Sequence, residues 1–146
     1  MKIDGQCHCG AIAYEAYVDP NQAFICHCED CQSFSGAPFR VRILAPPAGF
    51  TIVRGVPRTY TKVAESGTER VMHFCGSCGT HIYGSARGDD SLPISISGGT
   101  TRQKASIRPS AQAWCCSRLP WLSDLEAIRW IDKQEIARPS LEESRR

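Results

Sequence analysis

Several features that would send the chain into a membrane, out of the cell or onto nucleic acid are missing. Apolar runs extend only a few residues, far short of the ~20 that a membrane-spanning helix requires. No block of five or more lysines and arginines occurs, and the formal net charge is only +2. Charge therefore gives no support to nucleic-acid or acidic-membrane binding. The opening "MKIDGQCHCG" has a lysine but no apolar stretch behind it, so it does not read as a secretory signal, and the expected compartment is the reducing cytoplasm. Helical periodicity is scarce, and no repeat or internal linker appears.

At 146 residues, 42 % hydrophobic and 22 % charged, the chain has the size and composition of one soluble domain with its own core. Period-two alternation dominates. "AIAYEAYV" puts Ile12, Tyr14, Ala16 and Val18 on one side. "FRVRI" sets Phe39, Val41 and Ile43 against Arg40 and Arg42, and "PISIS" sets Ile94 and Ile96 against Ser95 and Ser97. These read as half-buried strands, with Arg40 and Arg42 on a wet face. "TIV", "RTYTKV", "RVMHF" and "HIY" read as further short strands separated by Gly- and Pro-rich turns.

Two helical stretches are expected. One is a turn around Glu29–Phe34 stopped by Gly36. The other begins at the capping-box pattern Ser123–Glu126, with Trp121, Leu125 and Ile128 on one face. The prediction is a mainly β domain over 1–132, with a frayed charged tail over 133–146.

Nine cysteines are many for such a chain, and an odd number fits a disulfide framework poorly. Seven fall in three short motifs: "CHCG" at 7–10, "CHCEDC" at 26–31 and "CGSCG" at 75–79. Thiolates at such spacings converge on one zinc without a long loop, and Gly10, Gly76 and Gly79 permit the tight turns this needs. Cys7 and Cys9 with Cys75 and Cys78 make a complete four-thiolate set carrying two negative charges around a zinc, which suits a structural site. Cys26, Cys28 and Cys31 leave one tetrahedral position for water or an incoming thiol, the general pattern of a catalytic zinc.

The alternatives are a remote fourth ligand that closes this second site, or His27 as that ligand. His27 sits between two cysteines and, in an extended segment, points to the opposite side. His8 has the same problem. His73 and His81 read as hydrogen-bonded strand histidines. Cys115 and Cys116 read as small semi-buried residues of a strand beginning at Trp114, and Trp114, Trp121 and Trp130 as core and edge packing.

The ordered set "CHCG", "CHCEDC" and "FCGSCGT", with "SGAPF" at 35–39 and "SRLPWLSDL" at 117–125, resembles the glutathione-dependent formaldehyde-activating (Gfa-like, centromere protein V-related) family from about residue 3 to 130. The resemblance implies a β-tent-type fold of short antiparallel sheets with little helix. It also implies two zinc ions per chain, with Cys7, Cys9, Cys75 and Cys78 as structural ligands and Cys26, Cys28 and Cys31 as ligands of the catalytic zinc. The activity it implies is that of S-(hydroxymethyl)glutathione synthase, a carbon–sulfur lyase in reverse. Its partners would be a glutathione-like thiol and a small aldehyde, with no nucleic acid and no membrane. Arg40, Arg42 and Arg118 are candidates to meet the carboxylates of glutathione, and Glu29 and Asp30 to carry protons. The competing readings are a non-catalytic zinc protein that binds glutathione or another thiol, a zinc-stapled interaction module, and a disulfide reductase using Cys115 or Cys116.

Overall fold

A computed structural model of the chain describes residues 1–133; the tail expected over 133–146 lies, from residue 134 on, outside the described residues. Ten short strands run in chain order: β1 Lys2–Gln6, β2 Ala13–Tyr17, β3 Ala23–Cys26, β4 Arg40–Ala45, β5 Phe50–Arg54, β6 Arg58–Val63, β7 Glu69–Phe74, β8 His81–Ala86, β9 Ile94–Ser97 and β10 Ala111–Ala113. They form a three-stranded sheet, β1-β2-β5, and a seven-stranded sheet, β10-β3-β4-β9-β8-β7-β6. All pairings are antiparallel except β10 with β3. The fold is mainly β, as the alternation predicts.

The core lies between the sheets. From the small sheet, Ile3, Tyr14 and Ala16 pack against Ala23, Ile43, Ala45 and Ile96 of the large one. Ile12, Tyr14, Ala16 and Val18 are all buried, as their spacing requires. Tyr14 ties the sheets together with polar bonds as well. Its hydroxyl lies 2.9 Å from both Thr100 Oγ1 and Thr101 Oγ1. Gly5 stands directly opposite Tyr14 in the β1–β2 register, and a Cβ there would sit 2.3 Å from the Tyr14 hydroxyl. The glycine is what lets the ring turn inward.

The other face of the large sheet is not wet, which corrects the placing of Arg40. Glu29–Ser35 forms α1, which ends at Gly36 with φ +59 as the sequence suggests, and α1 covers part of this face together with the β6–β7 hairpin. Arg40 is only 7 % exposed. Ser95 and Ser97 of β9 are buried too, because the central strand of a covered sheet has no solvent side.

Near the C-terminus three expectations fail. Pro120–Ala127 forms 3₁₀ turns that kink at Asp124 rather than an α-helix. Ser123 therefore caps nothing, and its Oγ accepts from Arg118 Nη1 at 2.6 Å. Trp121, Leu125 and Ile128 are about half exposed, so they make no buried helical face, and Trp130 is exposed as well. Strand β10 ends at Ala113 instead of continuing through the cysteines. Trp114 takes a left-handed φ of +57, turning Cys115–Ser117 into a 3₁₀ turn in which both thiols are exposed.

Removing the Tyr14 hydroxyl strips a buried bond from two threonines, which costs about 1–2 kcal/mol. Tyr14→Phe is expected to lower the unfolding free energy by that amount, read as a lower urea midpoint with an unchanged slope. Gly5→Ala, which collides with Tyr14 and with the Thr100 carbonyl, is expected to lower it further. Equal midpoints for parent and Gly5→Ala would refute this account of the join.

Candidate metal centres and the adjoining cleft

Two tight turns bring the first four cysteines together. Cys7 and Cys9 lie in the β1–β2 connection, whose turn closes through Gly10 N–H donating to Cys7 O at 3.0 Å. Cys75 and Cys78 lie between β7 and β8, where Gly79 N–H donates to Cys75 O at 2.9 Å. Gly10 and Gly79 both adopt the left-handed region, with φ +77 and +73, whereas Gly76 does not. The four sulfurs all fall within 4.8 Å of one another. Cys7 and Cys9 are 3.6 Å apart, and Cys9 and Cys75 3.7 Å. A tetrahedral zinc with arms of about 2.3 Å has sulfur–sulfur edges of about 3.8 Å, so this cage has the dimensions of a metal site. Disulfide bonding at ~2.05 Å is excluded by the same distances.

The second cluster is built from a strand end and a helix start. Cys26 closes β3, Cys28 is the N-cap of α1, and Cys31 lies in its first turn. Cys26 and Cys28 sulfurs are 3.5 Å apart, and Cys31 N–H donates to Cys28 Sγ at 3.4 Å. These three sulfurs also fall within 4.8 Å of one another, and among the described residues no histidine or carboxylate joins either cluster. His27 is turned away. It is buried with Nε2 2.8 Å from Gln112 Oε1.

Crowded thiols cannot all ionise unaided. The Cys31 thiol bonds to Cys26, which lowers Cys26 to about 5, while the same bond and burial drive Cys31 upward. The cluster keeps a proton unless a cation replaces it. That is the donor chemistry of a thiolate metal site, so both sets fit zinc.

The three-cysteine cluster opens on a cleft of about 700 Å³, and the three cysteines form part of its lining. Its floor is the covered face of the large sheet, carrying Arg40, Arg42, Arg70, Met72 and Gly84. Glu29, Asp30 and Phe34 from α1 and Trp114 from beyond β10 form walls. Arg40 is the strand partner of Cys26, so the register itself puts a guanidinium beside the sulfurs. Burial lowers the Arg40 pKa while the neighbouring Cys31 raises it. Asp30 is paired with Lys62 across the cleft, and Glu29 has no such cation partner among the described residues.

Among the sequence candidates, Arg40, Arg42, Glu29 and Asp30 reach the cleft, whereas Arg118 bonds Ser123 and is absent from its lining. Arg70, Met72 and Trp114 were not singled out as cleft residues. Trp114, expected among core and edge packing, is 48 % exposed and lines the cleft. Arg70 could have been found from the alternation of "RVMHF", which puts it on the same strand face as Met72.

The strand histidines behave as expected. His73 Nε2 lies 3.0 Å from Ser85 Oγ and its ring stacks on Tyr83 at 3.9 Å. His81 Nδ1 lies 2.8 Å from Ser97 Oγ. Among the described residues, no helix is long and apolar enough to cross a membrane.

Comparison with known proteins agrees with this picture. Residues 2–117 match the profile of the family described as glutathione-dependent formaldehyde-activating enzyme. An uncharacterized lyase of Schizosaccharomyces pombe is 29 % identical over 82 residues, covering 56 % of this chain and 56 % of that protein. The chain thus spans about half the length of that curated relative. A crystal structure of a Rhodobacter sphaeroides protein superimposes with a TM-score of 0.59 at 18 % identity, over 75 % of this chain and 99 % of that one, and supports the fold alone.

Burial holds His73 down at about 4, below the ~6.5 of the unfolded chain. The unfolded state therefore binds more protons between these values, and folding stability falls as pH drops through the window from about 6.5 towards 4. His73→Gln is expected to make that part of the midpoint-against-pH curve shallower, with His81, which burial likewise holds down at about 3, and the cysteines supplying the slope that remains. Parallel curves would show that His73 is not buried in its neutral form.

Proposed function

The chain belongs to the glutathione-dependent formaldehyde-activating enzyme family, and from that premise we propose that it is a zinc-dependent carbon–sulfur lyase acting on adducts of a thiol and a small aldehyde, in the manner of S-(hydroxymethyl)glutathione synthase. The observation that carries this reading is the difference between the two clusters. One has four sulfurs and completes a tetrahedron by itself, whereas the other has three and faces a roomy cleft. Cys7, Cys9, Cys75 and Cys78 would hold a structural zinc, and Cys26, Cys28 and Cys31 a second zinc with one position for an outside ligand.

Zinc held by Cys26, Cys28 and Cys31 would supply a positive charge that keeps an incoming thiol in its ionised, nucleophilic form at neutral pH. The rest falls to the protein. Cys26, Cys28 and Cys31 fix where the thiol sulfur arrives. Arg40, opposite Cys26, would offset the negative charge of the three thiolates and of a thiolate brought beside them. Phe34 and Trp114 on the walls and Met72 on the floor give the cleft apolar surface that limits access of water. The forming carbon–sulfur bond turns the aldehyde oxygen into a hydroxyl, which takes up the proton that the thiol released. Asp30 is engaged by Lys62, so Glu29 is the motif carboxylate left to carry that proton.

Zinc analysis and catalysis test the reading together. The parent should contain close to two zinc per chain, and Cys31→Ser close to one while keeping its β-sheet circular dichroism. The parent should speed formation of S-(hydroxymethyl)glutathione from glutathione and formaldehyde above the spontaneous rate, and the variant should lose at least about 100-fold of that acceleration. A fully zinc-loaded parent that gives no acceleration with glutathione or other thiols would leave a thiol-binding protein instead of an enzyme.

A further inference from the structure

Strand β6 is the last strand of the large sheet and is bonded to β7 alone. Its burial runs against its chemistry. The Lys62 side chain is turned in over the cleft at 16 % exposure, while Val63 beside it faces water at 64 %. The register partner of Lys62 is Arg70, another cation of the cleft, and like charges set opposite each other on a sheet repel. Such a lysine is tolerated only where an anion meets it. Asp30 of α1 does so, its Oδ2 accepting from Lys62 Nζ across the cleft. Tyr60, on the same strand face as Lys62, adds a ring contact with Phe34 of α1 at 6.1 Å.

The hairpin is anchored at its base. Strand β7 pairs with β8 from Phe74 as far as Arg70. Arg87, just past β8, holds the next step: its N–H donates to Glu69 O at 2.9 Å, and its Nη2 donates to Thr61 Oγ1 at 2.9 Å. Beyond that line the turn closes on itself, with Ala64 N–H donating to Thr68 O at 2.9 Å. Ala64, Glu65, Ser66 and Thr68 of this turn line the cleft. A two-stranded ribbon has little rigidity of its own in water, so the place of this tip depends on what it is tied to. It is tied to Asp30, the residue before Cys31.

We infer that Lys62 and Asp30 form a clasp that holds the β6–β7 hairpin down over the three-sulfur cluster and so sorts the molecules that reach Cys26, Cys28 and Cys31 by size. The role is one of access, and neither residue touches a reacting atom. The shielding concerns the sulfurs themselves and holds whatever reaction they serve. An inward charge on an edge strand also discourages edge-to-edge association, and the experiment tells the two roles apart.

Alkylation of the protein as purified, mapped by peptide mass spectrometry, tests the clasp without relying on turnover. The probes are iodoacetamide and a bulky pyrene-bearing maleimide, with the exposed Cys115 and Cys116 as internal reference. In the parent, the peptide carrying Cys26, Cys28 and Cys31 should lag behind the reference, and more so with the larger probe. Lys62→Met keeps the apolar stem and removes the charge. It is expected to speed maleimide modification of that peptide about fivefold, and iodoacetamide modification less, at equal zinc content and unchanged circular dichroism. Cys7, Cys9, Cys75 and Cys78 should keep their parent rates. Asp30→Asn should match Lys62→Met. The charge-reversed pair Lys62→Asp/Asp30→Lys should restore slow modification, which a direct effect of residue 30 on Cys31 would not do. These rates read access alone, so they stand even if the protein proved not to be a lyase. Parent rates for both probes in folded Lys62→Met would overturn the clasp. Self-association of that variant with unchanged cluster reactivity would leave edge protection as the role of Lys62.

Discussion

Four sulfurs link the two sheets, and the rest of the molecule is arranged around that link. Cys7 and Cys9 belong to the connection between the first two strands, Cys75 and Cys78 to a turn sixty-odd residues later. Apart from packing, the direct contacts that join the small sheet to the rest include the Tyr14 hydroxyl, the Gly5–Thr101 bridge, the bonds of Asp4 with Gln103 and its ion pair with Arg102, and His8 N–H donating to Thr80 Oγ1. Closing so long a loop costs conformational entropy that a small core only partly offsets. A metal bound by all four thiolates would add its binding free energy to folding. Once the β7–β8 turn is pinned, the positions of β8 and β9 follow by register, and with them the floor of the cleft.

The same chemistry has different consequences at the second cluster. A three-sulfur set cannot complete a tetrahedron, and it is positioned by a strand end and a short helix. Strand pairing then decides what faces it. Because Cys26 pairs with Arg40, a positive charge is built into the backbone register beside the sulfurs. A flexible loop cation could be lost to solvent, but a strand residue under a helix cannot. The burial of Arg40 is thus tied to the presence of negative sulfur nearby, and each makes the other tolerable.

Much of this was legible in the sequence, and the limits have physical reasons. Strand alternation found the core face of β2 because one side of that strand is apolar throughout. The cysteine grouping followed from motif spacing and glycine placement, and the geometry brings together the same residues. Alternation also separated Arg40 and Arg42 from Ile43, but it reports only that two faces differ. Whether the polar face meets water or a cleft depends on how α1 folds back over it and on the β6–β7 hairpin, which is distant in sequence. The strand expected to begin at Trp114 and hold Cys115 and Cys116 does not form, because Trp114 adopts a left-handed conformation, which no local pattern announces for a bulky residue. The capping-box pattern at Ser123 failed because Pro120 had already started a tighter turn.

The strain at Trp114 has a structural return. A left-handed φ on an aromatic residue costs on the order of 1–2 kcal/mol. The peptide just before it is fixed, since Ala113 pairs with Cys26 in the parallel β10–β3 ladder and its carbonyl accepts from His27 N–H at 3.0 Å. An ordinary φ would carry the chain onward as strand, away from the cleft. The left-handed turn instead folds it back, so that Trp114 and Ser117 both line the cleft and the Ser117 carbonyl accepts from Gln32 of α1 at 3.0 Å. Gln32 also donates to the His27 carbonyl at 2.7 Å. One side chain thus holds the helix, the cysteine motif and the Trp114 turn in a single arrangement, and the wall of the cleft is set by the same segment that presents the sulfurs.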